Sequence, residues 1–367
     1  MPLEERSLVE TVTRAAGEAS LDERRLSDWL RRHAPDVDVP VSARMLSAGR
    51  SNIIYELTGT DGRRYVLRRP PHGGTEARTH DVLREWKILQ ALEPTAVPTP
   101  PLVAMCETDD VIGTPFFVME FVPAQPLNFQ TARSLDETAR KRLSRSLGGA
   151  LHKLHSIDIE AVGLGSLHRE RSVVERQVSG WQRRLDSLAD LLSPAMYADM
   201  TDLGRRLVAT QPESLPQTLV HGDFKSDNLM VDDSGQVVAV LDWELTTTGD
   251  PFVDLAWLMM WWGDDIYTGP WLFDPVNKDG RLCSGRDIAD EYLKLSGADA
   301  AQLPFYLSFA YWRLTAINLV TRARFVSGAM AGKSLDLQRM AAQLQWQVQA
   351  CRGYLDAIEA PRRNGMQ

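Results

Sequence analysis

The chain has only three cysteines in 367 residues, Cys106, Cys283 and Cys351, and no CxxC pair among them, which excludes a disulfide framework and a zinc ribbon. It has no run of about eighteen apolar residues; the longest apolar stretch, Leu255 to Trp262, is too short to span a bilayer. Positive charge is in deficit: 41 Lys and Arg stand against 49 Asp and Glu, a formal charge of -8 that argues against nucleic acid or an anionic membrane as the main partner. The first residues, MPLEERSLVE, lack the basic patch and apolar run of a signal peptide, so a reducing, cytoplasmic setting is expected. Internal repeats, low-complexity segments and a GxGxxG loop are also absent. With 44% hydrophobic residues the chain can still bury a large core, and its length exceeds a typical single domain, so two lobes with a cleft between them are expected.

Residues 1 to about 40 are a helical lead-in, with Leu21, Leu26, Trp29 and Leu30 at roughly helical spacing before Pro35. From Val41 the pattern changes to MLSAGRSNIIYELTGTDGRRYVLRRPP, a three-stranded antiparallel meander with one turn at Gly49, Ser51 and Asn52 and another at Thr60-Asp61-Gly62. The two-residue period of the third strand puts Val66 and Arg68 on one face. A helix from about Thr79 to Leu92 carries Glu85 near the edge of its apolar face. Strands around Val103 and through GTPFFVMEFV follow, the second broken only by Glu120. Beyond residue 123 helices dominate: Asp136 to His155, the region from 170 to 208, an apolar helix after Pro251, and then Asp287–Leu295, Leu303–Val326 and Leu335–Ile358. His152 and His155, three apart and without further ligands, read as core or capping residues rather than a metal site.

The most informative stretch is LVHGDFKSDNLMVDDSGQVVAVLDWE, from Leu219 to Glu244. It reads as strand, polar loop, strand, Asp-Asp-Ser-Gly turn and strand, with Asp223 and Asn228 at the two ends of the loop and Asp242 closing the last strand. Phosphoryl transfer asks a protein for positioning and charge neutralisation, with oxygen-ligated Mg²⁺ and a carboxylate to receive the proton of the attacking hydroxyl. An Asp, an Asn five positions later, and a second Asp after a further strand is the order of a kinase catalytic loop.

With His221-Gly222-Asp223 in place of His-Arg-Asp, the stretch resembles the aminoglycoside phosphotransferase and choline kinase-like family of small-molecule kinases. The resemblance implies an α+β, two-lobed protein-kinase-like fold: a small antiparallel β-sheet N-lobe over residues 41–122 and a larger, mainly helical C-lobe over 123–367. It implies that Asp223 is the base and that Asn228 and Asp242 hold magnesium. The turn at Gly49, Ser51 and Asn52 would cover the nucleotide phosphates, and the backbone of Glu120, Phe121 and Val122 would bind the adenine edge. Arg68 occupies the slot of the usual phosphate-binding lysine, with Glu85 as its partner; arginine is longer and planar, so the exchange is not neutral. Asp254 would accept hydrogen bonds from the catalytic-loop backbone.

YVLRRPP, REWKILQAL, CETDDVIGTPFFVMEFV, VERQVSGW and RLTAINLVTRARFVSG look closest to the kinase-like domain fused to certain acyl-CoA dehydrogenases, a branch in which arginine in the lysine slot is usual. Seven residues, Trp243 to Gly249, leave no room for a polypeptide-docking activation loop, so the expected partner is a small hydroxylated molecule, with a homodimer allowed. The expected activity is transfer of the γ-phosphoryl group of ATP, with GTP also allowed, to a hydroxyacyl-CoA-like metabolite or an aminoglycoside-like compound; the alternative is a catalytically dead nucleotide-binding pseudokinase. Trp257, Trp261, Trp262, Asp264 and Asp265 are candidates to line the acceptor pocket, and Arg313, Arg322 and Arg324 to meet a CoA-linked acceptor at its mouth.

Overall fold

Short alternating runs punctuated by turn residues fold into a sheet, and the long apolar-periodic runs into helices. The computed structural model describes residues 21–48, 52–72, 76–213, 216–264, 269–328 and 334–364. The chain divides into two units: the first runs to Pro123 and takes in Leu241–Glu244, and the second comprises Ala124–Val240 and the chain from Leu245 onward.

In the first unit, helix α1 (Glu23–His33) is followed by strands β1 (Ser42–Ala48), β2 (Ile53–Thr58) and β3 (Arg64–Arg69), helix α2 (Glu76–Leu92), and strands β4 (Leu102–Cys106) and β5 (Phe116–Glu120). The five strands form one antiparallel sheet in the order β1-β2-β3-β5-β4, and the expected meander is its first three strands. Alternation along the strands buries Ile53, Tyr55, Leu57, Tyr65, Leu67, Phe116 and Val118 in one core with Leu26, Trp29 and Leu30 of α1. The Trp29 ring meets Phe116 edge-on at 5.0 Å, and each such large side chain contributes about 1.5–3 kcal/mol when fully buried. Asp22 caps α1 by accepting from Arg25 N at 2.9 Å, and Arg31, Arg32 and His33 suit the negative end of the helix dipole. Helix α1, within the described part of the lead-in, thus packs as a cover on the sheet.

The second unit contains β6 (Gln125–Pro126), helices α3 (Phe129–Ser134), α4 (Glu137–His155), α5 (Val173–Asp186) and α6 (Pro194–Thr210), and strands β7 (Thr218–Val220), β8 (Leu229–Val231), β9 (Val237–Val240) and β10 (Thr247–Gly249). Helices α7 (Phe252–Trp262), α8 (Gly285–Ser296), α9 (Leu303–Val326) and α10 (Leu337–Asn364) complete it. Asp136 caps α4 as read from the sequence, and Leu143, Leu147, Leu151 and Leu154 are fully buried on its inner side. The three strands of the Leu219–Glu244 stretch are present, but they do not share one sheet: β8 and β9 form a hairpin beside β6, whereas β7 pairs with β10. Strand β10, Thr-Thr-Gly, is not anticipated, because three residues carry no period and its order comes from pairing Thr248 with Leu219. Among the described residues no helix is long and apolar enough to cross a membrane.

Candidate active site

The two-residue period of β3 turns Arg68 away from the α1 core and toward Glu85 of α2. Arg68 Nε lies 2.9 Å from Glu85 Oε2, and its Nη2 lies 2.6 Å from Asp242 Oδ1 and 3.6 Å from Glu244 Oε2. Glu85 Oε1 also accepts from the Trp243 N–H at 3.3 Å, and Arg84 donates to the Glu244 carbonyl at 2.7 Å. One buried guanidinium therefore serves three carboxylates. Burial pushes the Glu85 carboxyl up to about 7 against the pull of Arg68, and Asp242 and Glu244 add to the rise. Burial works against the charge of Arg68, but the three carboxylates outweigh it and hold its pKa above the ordinary value. Asp242 has φ 69°, the left-handed region that costs a non-glycine residue of the order of 1–3 kcal/mol and recurs at functional sites.

Of the other first-unit candidates, Asn52 is buried at the start of β2, while Gly49 and Ser51 lie outside the described residues. The Glu120 N–H donates to the Pro101 carbonyl and the Phe121 N–H to the Arg64 carbonyl, so of the three backbone donors expected at the adenine edge, that of Val122 is the one outside these bonds.

In the second unit the loop after β7 turns sharply at Gly222, with φ 82°; a Cβ there would stand 2.6 Å from the Leu245 carbonyl oxygen, so only glycine fits. Asp254, fully buried in α7, accepts from His221 N at 2.6 Å and Gly222 N at 2.9 Å, the backbone donors expected for it. His155 Nε2 lies 3.3 Å from its second contact oxygen, Oδ2, and His155 Nδ1 lies 3.0 Å from the Tyr292 hydroxyl. Burial alone would raise the Asp254 carboxyl, but His155, His221 and the Gly222 N–H hold it below its ordinary value.

Asp223, the next residue, receives the Trp257 indole N–H on Oδ1 at 2.8 Å. Its Oδ2 faces Asn228 Nδ2 at 3.1 Å and Lys225 Nζ at 3.3 Å, and Asn228 Nδ2 also donates to the Asp223 carbonyl at 2.9 Å. Lys225 in turn sits 5.4 Å from the centre of the Trp261 ring. The predicted pair Asp223 and Asn228 thus meets directly. Asp242, two residues beyond the end of β9, is placed with Arg68 in the first unit.

The sequence profile of the phosphotransferase enzyme family matches residues 42–271, more than half of the chain. The chain belongs to this phosphotransferase family. Acyl-CoA dehydrogenase family member 10 of Mus musculus is 31% identical to it over 340 residues, which cover 88% of the chain but 30% of that protein. The chain therefore spans under a third of that relative's length. Among solved structures, a Ralstonia eutropha JMP134 protein assigned as an aminoglycoside phosphotransferase is similar at TM-score 0.75 and 25% identity, over 92% of this chain and 99% of that one. The ternary complex of APH(2″)-IIa with streptomycin and ATP is similar in fold, at TM-score 0.58 and 16% identity over 90% and 99% of the two chains. The antiparallel sheet of the first unit and the helices of the second are those of the kinase-like fold.

Two residues that sequence reasoning does not single out, Glu244 and Lys225, stand beside the candidate residues. Glu244 follows Asp242 by two positions, and Lys225 follows Asp223 by two; either spacing is a usable signal. Trp257, a candidate for the acceptor pocket, is instead buried and bonded to Asp223. Arg313, expected at the mouth of a pocket, is instead 4% exposed in α9, where its Nη2 donates to the Gly222 carbonyl at 2.7 Å and its guanidinium carbon lies 4.2 Å from the centre of the Trp257 ring. Burial lowers its pKa, while Asp223 and Asp254 favour its charge. Asp264 caps α8 through Gly285 N and accepts from Asn277, so it is structural, and Asp265 lies outside the described residues. Trp262 is fully buried and donates to the Cys283 carbonyl, so it too belongs to the core.

Among the described residues no cluster of three or more His, Cys, Asp or Glu is arranged to hold a metal. Asp242 in the first unit and Asn228 in the second each carry an oxygen donor of the kind that Mg²⁺ takes.

Proposed function

We propose that this family member is an ATP- and magnesium-dependent phosphotransferase that moves the γ-phosphoryl group to a hydroxyl of a small molecule. The observation that carries the reading is the Asp223 carboxylate: it is fixed on one oxygen by Trp257, faced on the other by Asn228 and Lys225, and built on a glycine-cornered loop clamped by Asp254. A carboxylate so held orients an acceptor hydroxyl and takes its proton as the oxygen attacks the γ-phosphorus; the new O–P bond forms, the bridging P–O bond breaks, and ADP leaves. Magnesium, where bound by Asn228 and Asp242, supplies charge neutralisation on the phosphates. Arg68 holds phosphate oxygens, and Glu85 keeps its guanidinium in place. The turn at Gly49, Ser51 and Asn52 covers the phosphates, and the Glu120–Val122 backbone takes the nucleotide base.

For the acceptor, the groups in contact with Asp223 or with its partner Trp257 favour an anionic or apolar molecule over a polycation. Lys225 and Trp261, the half-buried cation and indole beside Asp223, suit a hydroxylated acyl thioester of CoA better than a polycation. The likeness to acyl-CoA dehydrogenase family member 10 supports the same choice.

The test is nucleotide turnover by the purified chain with Mg²⁺, with and without a panel of hydroxyacyl-CoAs and aminoglycosides, and with Asp223→Asn as the blank. Turnover that requires a hydroxyacyl-CoA and vanishes in the variant is expected. Turnover that requires an aminoglycoside overturns the acceptor class, and binding of Mg·ATP without transfer to any acceptor overturns the enzyme reading in favour of a pseudokinase.

A further inference from the structure

Arg313 is expensive where it stands. It is the one cation in LPFYLSFAYWRLTAINLV, it is 4% exposed, and no carboxylate lies within ion-pair distance of it among the described residues. Its single hydrogen bond goes to the Gly222 carbonyl, and its Nε and Nη1 are buried with no hydrogen-bond partner. A buried guanidinium normally requires a full set of acceptors, and a methionine or leucine of similar volume would be the cheaper filler. Packing therefore does not account for it.

The groups it does touch belong to the base. We propose that Arg313 and Trp257 form a positioning pair for Asp223: the guanidinium lies on the indole face and the indole N–H holds Asp223 Oδ1, so that Oδ2 is the oxygen presented to the acceptor hydroxyl. This rests on the reading of Asp223 as the general base. A cation over an aromatic face draws π density toward itself, which makes the indole N–H a stronger donor, and the hydrogen bond it gives to a carboxylate is charge-assisted. The two arms of the pair end on consecutive residues: Arg313 Nη2 on the Gly222 carbonyl at 2.7 Å and Trp257 Nε1 on Asp223 at 2.8 Å. Backbone and side chain of the base are thereby held from the same point, and the carboxylate cannot rotate without breaking the indole bond. Neither residue needs to touch ATP or acceptor to do this, so both are positioning residues.

The test combines kinetics with a spectroscopic readout on the full chain labelled with ¹⁵N at its tryptophans. Trp257→Phe keeps the ring and deletes the N–H, which also assigns the Trp257 indole resonance. In the wild type that proton is expected well downfield, and it should move upfield in Asp223→Asn and in Arg313→Met while the other indoles stay in place. In steady state, Trp257→Phe should lower kcat about tenfold to a hundredfold, the value of one charge-assisted hydrogen bond, with KM for ATP within about twofold. Arg313→Met should lower kcat less, Arg313→Lys should restore part of it, and the double variant Trp257→Phe/Arg313→Met should be no slower than Trp257→Phe alone. Losses that multiply in the double variant, or an indole shift indifferent to Arg313→Met, overturn the pair. A wild type that transfers phosphate while Trp257→Phe keeps its kcat overturns the pair and leaves the proposed function standing. A wild type that transfers to no acceptor overturns the proposed function first, and the positioning role falls with it.

Discussion

Asp254→Asn removes one charge from the interior and changes no volume, so its effect isolates what that carboxylate does. In the wild type two oxygens accept from two backbone donors, His221 N and Gly222 N, and Oδ2 also faces His155. An amide offers one oxygen, so one of the two backbone N–H groups must face an NH₂ instead. Each hydrogen bond to a charged group contributes about 1.5–3 kcal/mol, and breaking a buried, fully engaged carboxylate costs about 3–5 kcal/mol. For a unit of this size that corresponds to a fall in melting temperature of roughly 6–20 °C. The pH dependence follows in sign. The Asp254 carboxyl is held below its ordinary value in the folded chain, so its contribution is fully present above the ordinary carboxylate range and is lost as the pH falls through the lower folded value. Asp254→Asn should therefore lower the melting temperature at neutral pH and flatten the acid limb of the stability curve. Thermal melts followed by circular dichroism across the pH range, with hydrogen exchange at the His221 and Gly222 amides, measure both. A shift below about 2 °C at neutral pH, or unchanged protection of those two amides, would refute the clamp.

Three further outcomes are expected. Arg68→Met leaves Glu85, Asp242 and Glu244 without their common cation, and should weaken ATP binding by at least about tenfold in a fluorescence or calorimetric titration, since a charged hydrogen bond is lost. Glu85 is pushed up to about 7, so its contribution to stability is fully present below the ordinary glutamate range and is lost as the pH rises through about 7; Glu85→Gln should remove that slope from melts of the first unit's tryptophans. Gly222→Ala must place a methyl group against the Leu245 carbonyl at a positive φ, and should cost about 1–3 kcal/mol of stability in urea titrations while lowering turnover far more than that loss of folded protein explains.

Much of this architecture is legible in the sequence because most of its elements carry a period. The pairing of Arg68 with Glu85 is what the family resemblance implies, and the two-residue repeat on β3 and the helical repeat on α2 add the face of each element. Asp223 and Asn228 can be paired because a short loop between two strands confines both. The pairing of β7 with β10 is not legible: strands of three residues have no period, and the ladder exists because the chain returns past Gly222 after Leu245. The partners of Asp223 on α7 are hidden for a different reason. Phe252–Trp262 is apolar on every side, so hydrophobic patterning says nothing about which way Trp257 points. The same holds for α9, whose face toward the loop is marked by no stripe.

In helices apolar all round, orientation is written instead in the polar exceptions. Helix α7 has Asp254 and α9 has Arg313, both buried, and both are aimed at the same residue: the Gly222 N–H goes to Asp254 and the Gly222 carbonyl takes Arg313. An anion and a cation thus bracket one peptide residue, each compensated by a backbone dipole instead of by direct contact with the other. That arrangement is costly to bury and cannot be exchanged for apolar packing without leaving the loop's own N–H and C=O groups unpaired. It also fixes the backbone immediately before Asp223 against movement in either direction along those bonds. Under the proposed function, a loop held in this way supplies what phosphoryl transfer asks of a base, a carboxylate whose position is set before the substrate arrives.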